Sequence, residues 1–585
     1  MSIEQLITEH LDIWTAADTE KKSGRGRSSG SAGSVYGIKK LRELILELAV
    51  RGKLVPQDAN DEPASELLKR IAAEKAKLVA EGKIKKSKPL ADITDDEKPF
   101  ELPFGWEWVR LDNISPMPII DGDWIESKDQ DVEGEIRLVQ LADVGVGEFK
   151  DKSDRFINLD TFNRLNCTQL QTGDILIARL PNPIGRACVF PDLNQMAITV
   201  VDIAILRLLN VSYDEYVVHA INSNTFRAQV EAFGKGATRF RVATGNLKTL
   251  LLPLPPIAEQ HRIVAKVDEL MALCDQLENQ HNNAAEAHEK LVTHLLGTLT
   301  QSQNAKVFNT NWQRISEHFD TLFTTEASID ALKQTLLQLA VMGKLVPQDP
   351  NDEPASELLK RIQAEKAKLV AEGKIKKSKP LAEITDDEKP FELPVGWEWV
   401  RLAVIGFSRT GRTPSTQNSS LYDGPIPFIG PGQITLACEL LPTDKWLSEA
   451  GRKETTIAKT GDILMVCIGG SIGKSAIADK EMGFNQQINC ISPLYVESKF
   501  AHISMMANSF QSKLLEFATG SATPIINKSK WEELLVPVSP LIEQHRIVIK
   551  VDELMAICDQ LKLRLTEADL LQHKLADVMV EQAIS

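Results

Sequence analysis

Apolar residues recur with the period of a helical seam in two places along the chain. Ile263, Val267, Leu270, Cys274 and Leu277 are spaced 4-3-4-3, and Ile547, Val551, Leu554, Cys558 and Leu561 repeat that spacing. Such a seam is the a/d stripe of a coiled coil, where one helix buries itself against another. Each seam follows a proline-containing apolar run, LLLPLPP (Leu250 to Pro256) or LLVPVSP (Leu534 to Pro540). Each also carries a glutamate, Glu259 or Glu543, in the first turn, where the helix dipole favours it. Ser65 to Glu81 and Ser356 to Glu372 are predicted helices as well, rich in Ala, Leu, Lys and Glu, with Leu67, Leu68, Ile71 and Leu78 lining one side of the first. Between these blocks the pattern changes. Short β-prone runs, Asp174 to Ala178, Ala197 to Leu206 and Asp462 to Cys467, are separated by Gly, Pro, Asn and Asp. That is the pattern of compact α/β domains with loops.

The blocks are copies of one another. Residues 41–111 reappear as 332–402, an offset of 332 − 41 = 291, with 61 identities in 71 positions. The shared words are GKLVPQD (Gly52 to Asp58; Gly343 to Asp349), NDEPASELLKRI, EKPFELP and GWEWVRL (Gly105 to Leu111; Gly396 to Leu402). EQHRIV at Glu259 to Val264 returns at Glu543 to Val548, an offset of 284, so the first intervening segment is longer by 291 − 284 = 7 residues. Upstream, Glu9–His10 pairs with Glu317–His318 at an offset of 308, and the surplus of 308 − 291 = 17 residues is the Gly/Ser/Arg-rich stretch Lys21 to Gly37, read as a flexible loop. The two intervening segments share little sequence but one skeleton. TGDIL stands at Thr172 to Leu176 and Thr460 to Leu464, and Ile-Gly followed by a base at Ile184–Arg186 and Ile472–Lys474.

Composition narrows the function classes. A chain of 585 residues exceeds a single core. No apolar run is long enough for a membrane span, and Met1 to Asp12 is amphipathic and acidic rather than a secretory signal, so a cytoplasmic protein is expected. The seven cysteines form no CxxC pair and no His cluster accompanies them, which argues against zinc and disulfides. Cys274 and Cys558 read as reduced core thiols. A formal charge of −14 argues against coating by nucleic acid, but a local basic face suffices for reading DNA, with partner subunits supplying part of the positive field.

The words F-E-L-P-x-G-W-E-W-V-R-L and L-P-x-x-E-Q-H-R-I-V-x-K-V-D-E-L resemble the specificity subunits of type I restriction–modification systems, across both halves and nearly the whole chain. The GKLVPQD and NDEPASELLKRI block is similar to the type IB subgroup. The resemblance implies an α+β multi-domain fold: two α/β target recognition domains separated by long antiparallel coiled-coil helices, an internal duplication with pseudo-twofold symmetry. It places an N-terminal helical region at 1–111 (with the loop 21–37), recognition domains at 112–256 and 403–540, a central helical region at 257–402 and a C-terminal coiled-coil helix at 541–585. Each recognition domain is expected to read one half of a bipartite, asymmetric site in double-stranded DNA, the helices acting as a ruler for the unread spacer. Two modification subunits would methylate adenine with S-adenosylmethionine, and two restriction subunits would add ATP- and Mg-dependent translocation and cleavage. This chain itself would hold no cofactor and no metal. The residues agree independently: duplicated blocks offer two docking faces to two copies of one partner, and diverged segments offer two different binding surfaces.

Candidate DNA contacts follow from side-chain chemistry. Arg bridges guanine, Asn reads adenine, and Lys holds phosphates. In the first domain these are Arg179, Asn182 and Arg186 after TGDIL, and Lys235, Arg239, Arg241 and Lys248 in GKGATRFRVATGNLK. In the second they are Arg409, Arg412, Ser471, Lys474, Ser521, Thr523, Asn527, Lys528 and Lys530. Gly520 to Lys530 resembles the family's G-S-x-x-P-x-I-N element, from which the first domain departs with GATRFRVAT. The bland alternative is a solvated basic loop. Trp106, Trp108, Trp397 and Trp399 sit in near-identical repeats, whereas surfaces for different half-sites should differ, so they are expected to pack in the core or at a junction. GGSIGKS (Gly469 to Ser475) lacks the first glycine of a phosphate-binding loop, which Ile468 replaces. LPNPIG and LPLPP fail the (Asp/Asn)-Pro-Pro-aromatic motif of adenine methyltransferases, and Asp192 lacks the partners of a nuclease site. Catalysis is therefore expected on other chains. The competing readings are a coiled-coil scaffold and a stand-alone methyltransferase or nuclease.

Overall fold

The computed structural model describes residues 3–16, 35–86, 88–209, 213–233, 240–303, 305–375, 380–520 and 523–584. All but the last three residues of the expected loop 21–37 lie outside them. The chain forms two compact units: residues 1–284 together with 568–585, and residues 285–567.

In the first unit the strands are β1 (Glu107–Arg110), β2 (Ile120–Asp121), β3 (Ile136–Val139), β4 (Phe156–Ile157), β5 (Ile175–Ala178), β6 (Ala187–Val189), β7 (Ala197–Thr199), β8 (Ile203–Leu206) and β9 (Leu251–Leu254). Antiparallel strands in the order β2-β8-β5-β6 form one sheet. A second, β4-β3-β7, pairs β3 and β7 in parallel. The GWEWVRL word becomes β1, whose Glu107 to Arg110 pair with Leu254 to Leu251, so the proline-bearing run closes the domain as a two-stranded ribbon.

The second unit repeats this plan with β10 (Glu398–Arg401), β11 (Gly406–Thr410), β12 (Tyr422–Ile429), β13 (Trp446–Leu447), β14 (Thr456–Ala458), β15 (Ile463–Val466), β16 (Ser475–Ile477), β17 (Met482–Phe484), β18 (Ile488–Pro493) and β19 (Leu535–Val538). Its sheets run β11-β18-β15-β16 and β13-β12-β17-β14, and β10 pairs with β19. TGDIL sits at the same sheet end in both units. Gly173 (φ 89°) and Gly461 (φ 88°) make the left-handed turn that only glycine adopts without strain.

The helical seams are built as expected, but they bury against more than another helix. Ile263, Val267 and Cys274 are fully buried in a core that includes Ile45 from helix Tyr36–Val50, Tyr216 from helix Asp214–Asn222, and Ala576 and Val580 from the C-terminal helix Leu541–Ile584. Polar contacts fix the directions. Val35 N donates to Glu278 (3.3 Å), Arg42 pairs with Asp275 (2.7 Å), and Gln57 donates to Glu259 (3.4 Å), so helix Tyr36–Val50 runs antiparallel to the first half of helix Ile257–Thr300. Tyr36 Oη donates to Asp577 (2.8 Å) and Lys53 Nζ to Ile584 O (2.7 Å), so it runs parallel to the end of the C-terminal helix. In the second unit helix Glu326–Val341 takes the corresponding place. Lys562 reaches Asp330 (2.9 Å), Lys333 pairs with Asp559, and Lys344 Nζ donates to Thr300 O (3.0 Å). Within each unit the two long helices are therefore antiparallel.

The duplication extends to single bonds. Trp106 Nε1 donates to Glu259 and Trp397 Nε1 to Glu543, both at 2.9 Å and both buried. Arg262–Asp61 (2.6 Å) and Arg546–Asp352 (2.5 Å) form the same pair twice. Trp106 and Trp397 are thus junction packing, while Trp108 and Trp399 are part-buried and donate to Phe100 O and Phe391 O, both at 3.1 Å. The seven cysteines are free thiols; Cys274 and Cys558 are buried on the seams, as expected. Among the described residues no helix is long and apolar enough to cross a membrane.

Candidate nucleic-acid interface

The end of β2, the start of β8, the end of β5 and the start of β6 meet at one edge of their sheet, and β11, β18, β15 and β16 meet there in the second unit. The loops leaving this edge are tied by one set of backbone bonds, made twice. Gly122 N donates to Ile203 O (2.9 Å), as Gly411 N does to Ile488 O (3.0 Å). Asp123 N donates to Thr199 O (2.7 Å), as Arg412 N does to Phe484 O (3.0 Å). Val200 N reaches Val139 O (3.3 Å), and Asn485 N reaches Ile429 O (3.1 Å). Arg179 N donates to Asp202 O and Cys467 N to Gln487 O; Val242 N donates to Arg179 O and Ile526 N to Cys467 O. A Cβ at Gly122 would collide with Val200 O, and one at Gly411 with Asn485 O, so both positions need glycine for the backbones to approach. The side chains carried by this frame differ at nearly every place: Asp123 against Arg412, Trp124 against Thr413, Gln140 against Gly430, Val201 against Gln486, Asp202 against Gln487, Arg241 against Ile525.

Of the residues expected from sequence, Arg179, Asn182, Arg186, Arg241, Arg412, Ser471, Lys474 and Thr523 lie on the loops at this edge, but some of them are committed to holding it together. Arg186 is buried. It donates to Val144 O (2.7 Å), Leu141 O (2.7 Å), Pro183 O (3.0 Å) and Leu180 O (3.2 Å), closing the loop that carries Asn182. Arg179 is buried too, donating to Val242 O (3.0 Å) and Val201 O (3.1 Å) and pairing with Asp121, which also accepts from Thr244. The expectation that these two guanidiniums face a duplex is corrected: a buried cation persists only with its donors satisfied, and these are spent on backbone carbonyls, Val201 O being shared with Arg241. Arg409 is corrected likewise. It lies on β11 and reaches Asp462 of TGDIL (2.5 Å), the service that Arg207 performs for Asp174 (2.6 Å) in the first unit. Lys528 bonds Glu532 (2.9 Å), Asn527 caps helix Lys528–Glu532 by accepting from Lys530 N (2.9 Å), and Lys248 lies 3.9 Å from Asp112.

The remainder lies open or partly open. Asn182, Arg412, Thr523 and Lys530 are exposed, and Ser471, Lys474 and Arg241 are half-buried. Arg412 has 70% of its side chain exposed and reaches Glu454 at 3.4 Å. Arg241 donates to Val201 O (3.0 Å) beside Asp202 (3.4 Å). Lys235, Arg239 and Ser521 lie outside the described residues.

A family model described as the type I restriction modification DNA specificity domain matches residues 103–287 and, again, 394–568. The chain belongs to the type I restriction–modification specificity-subunit family. It is 41% identical to the Type I restriction enzyme EcoAI specificity subunit of Escherichia coli over 100% of both chains, and 41% identical to the EcoEI specificity subunit of the same species over 100% of both. A chain from a solved structure concerned with assembly and conformational transition of the type I R-M system shares the fold, with TM-score 0.51 and 19% identity over 83% of this chain and 99% of that one. Each specificity domain thus begins at the FELP word and includes the closing ribbon as well as the two sheets.

Sequence reasoning missed part of this edge. Trp124 is 65% exposed and stands with Gln140 and Val201 around a cleft of about 360 Å³. In the second domain Gln486 and Thr413 are exposed, and Thr413 Oγ1 donates to Gln486 Oε1 at 2.6 Å. None of these is cationic, so a search for basic residues passes over them. The visible signal was Gly122 and Gly411, each two residues before an exposed side chain of the frame, Trp124 or Thr413.

Proposed function

We propose that each specificity domain reads one half of a bipartite, asymmetric site in double-stranded DNA, and that the chain thereby directs adenine methylation and restriction by its partners. Two modification subunits, which carry S-adenosylmethionine, dock on the two repeated helical faces. Two restriction subunits supply ATP- and Mg-dependent translocation and cleavage. The specificity subunit itself is non-catalytic, holds no cofactor and works in the cytoplasm.

One observation carries this reading: the same hydrogen-bonded loop frame is built twice and bears two different sets of side chains. A scaffold has no use for two unlike sets of loop side chains on one frame. Two readers of different half-sites require that arrangement, because phosphate contacts fix register while side chains at base edges give sequence. The identical helical blocks support two equivalent docking faces for one kind of partner.

The experiment exchanges residues 403–540 for the same segment of a relative, co-expresses the hybrid with the modification subunit, and sequences the methylated genome. One half of the methylated word should change while the other stays. An unchanged word would refute the reading and leave the helical scaffold.

A further inference from the structure

The frame has the same shape in both domains, so the places where it differs can be compared position by position. Two loops lie at the heart of it. One leaves β2 or β11 through the glycine: Gly122-Asp123-Trp124 or Gly411-Arg412-Thr413. The other is the tight turn into β8 or β18: Val200-Val201-Asp202 or Asn485-Gln486-Gln487, closed by Ile203 N to Val200 O (3.0 Å) and Ile488 N to Asn485 O (3.1 Å). Backbone bonds hold each of these loops to the other or to the neighbouring strands, so their side chains are carried on a rigid support.

In the second domain the two loops present a joined polar pair. Thr413 Oγ1 donates to Gln486 Oε1, which fixes the amide and leaves its NH2 group without a described partner, free to donate. Arg412 stands alongside, with its guanidinium mostly exposed. In the first domain the same two places hold Trp124 and Val201. Trp124 Nε1 donates to Glu126 (3.3 Å), which steadies the ring at the surface. Gln140 opens onto the same cleft. Asp123 is turned away: its carboxylate accepts from Thr168 N (2.9 Å), inside the domain.

We propose that these equivalent pairs, Trp124 with Val201 and Thr413 with Gln486, are the base-discriminating residues of the two half-sites; the inference rests on the DNA-reading function above. Their chemistry is opposite. A fixed amide with a free NH2 group, beside an arginine, suits base edges rich in hydrogen-bond acceptors, while an indole and a valine lining one cleft suit apolar contact such as a thymine methyl. One frame therefore offers two reading chemistries, which is what an asymmetric site needs. The buried arginines Arg179 and Arg186 act behind the first pair as positioning residues, since they tie Val201 O and the Asn182 loop in place.

The test uses the full chain assembled with its modification subunit. The methylated word of the wild type is first obtained by genome methylation sequencing. Affinity is then measured for a panel of duplexes carrying that word with each base pair changed singly. Gln486→Ala should reduce discrimination roughly tenfold or more at one or two base pairs of one half-site, leaving the other half-site unchanged. Trp124→Ala should do the same in the other half-site. Wild-type discrimination at every position in both variants would overturn the inference, and so would equal loss across both half-sites. The exchange of residues 403–540 separates the two levels. If the exchange moves the word while the point variants change nothing, only this assignment falls; if the exchange leaves the word unmoved, the reading beneath it falls.

Discussion

The last turns of the C-terminal helix, about five of them from residue 568 onward, complete the first unit, so shortening the chain at its end should weaken a domain that begins more than five hundred residues earlier. Val580 is 9% exposed and Ala576 fully buried, both inside the core formed by Ile45, Val267 and Tyr216. Burying a valine contributes about 2 kcal/mol and a single methyl about 1 kcal/mol. Tyr36 Oη donates to Asp577 at 2.8 Å, a bond contributing about 1 kcal/mol, whereas the half-exposed Lys40–Asp577 pair contributes little. Removing residues 568–585 should therefore cost the first unit roughly 4 kcal/mol, a large share of the ~5–15 kcal/mol that stabilises a typical domain. That cost corresponds to about a thousandfold loss of protection in local opening equilibria. Amide hydrogen exchange with peptide-level readout is the assay. Peptides from helix Tyr36–Val50 should exchange far faster in the truncated chain, while helix Glu326–Val341, which belongs to the other unit, should keep its protection. Val580→Asp in the full-length chain should reproduce the effect without shortening the helix. Unchanged protection of Tyr36–Val50, or equal loss in both helices, would refute the reasoning.

Four further outcomes follow from the packing and the titrating groups. Val267→Asp places an unpaired charge where the side chain is fully buried, at a cost of several kcal/mol; an unshifted melting temperature would count against the seam. Trp397→Phe removes the 2.9 Å donor from the buried carboxylate of Glu543 and should lower stability by about 1–3 kcal/mol in urea titrations, and a wild-type midpoint would show that the bond contributes nothing. Asp462→Ala leaves Arg409 and Ser492 without their common acceptor and should cost about 2–3 kcal/mol by the same assay, whereas a surface change such as Gln486→Ala should stay within about 0.5 kcal/mol. Burial pushes His219 and His502 down to about 4, so the folded state keeps them neutral while the unfolded chain protonates near 6.5. Their contribution to stability is intact above about pH 6.5 and declines as pH falls toward 4. The Glu259 and Glu543 carboxyls, raised by burial, slope the other way, so the comparison of His219→Leu with wild type isolates the histidine: the variant should lose less stability between about pH 7 and pH 5, and parallel curves would argue against it.

The parts of this fold that sequence made legible are those where one residue type does one job in both copies. Trp106 and Trp397 were readable as junction residues because a surface meant to differ cannot be built from identical words, and each indole meets its glutamate in a buried bond. The seams were readable because Ile263, Val267 and Cys274 fall at helical spacing, although periodicity alone does not say that helix Tyr36–Val50 and the sheet domain share that face. GWEWVRL was placed with the helices by its repetition, yet its alternation Trp108, Arg110 against Val109 is that of a strand, and its partner run lies more than 140 residues away. The loop arginines misled for a physical reason. Arg186 has the composition of a DNA contact, but the loop 180–185 and the 141–144 turn carry carbonyls with no backbone partner, and a guanidinium with five donors is the compact way to satisfy four of them. The equivalence of Asp123 with Arg412, or of Val201 with Gln486, had no trace in the side chains at all, because it is made by main-chain groups that every residue carries.

That division between main-chain and side-chain roles explains how one architecture can carry two unrelated targets. Groups that fix the loop frame are either backbone or buried: the glycines at 122 and 411, and the arginines under the first domain's loops. Groups that face outward at the same edge, Trp124, Gln140, Arg412, Thr413 and Gln486, contribute little to the core and are bonded, where they are bonded at all, to one another or to nearby surface residues. Replacing an exposed side chain on a frame held by its own backbone changes stability by a few tenths of a kcal/mol, while a lost or gained bidentate base contact changes discrimination by about 1–3 kcal/mol. On the proposed assignment stability and target choice are set by separate residues, so altering the loops of one domain should change its half-site without disturbing its fold or the repeated helical block.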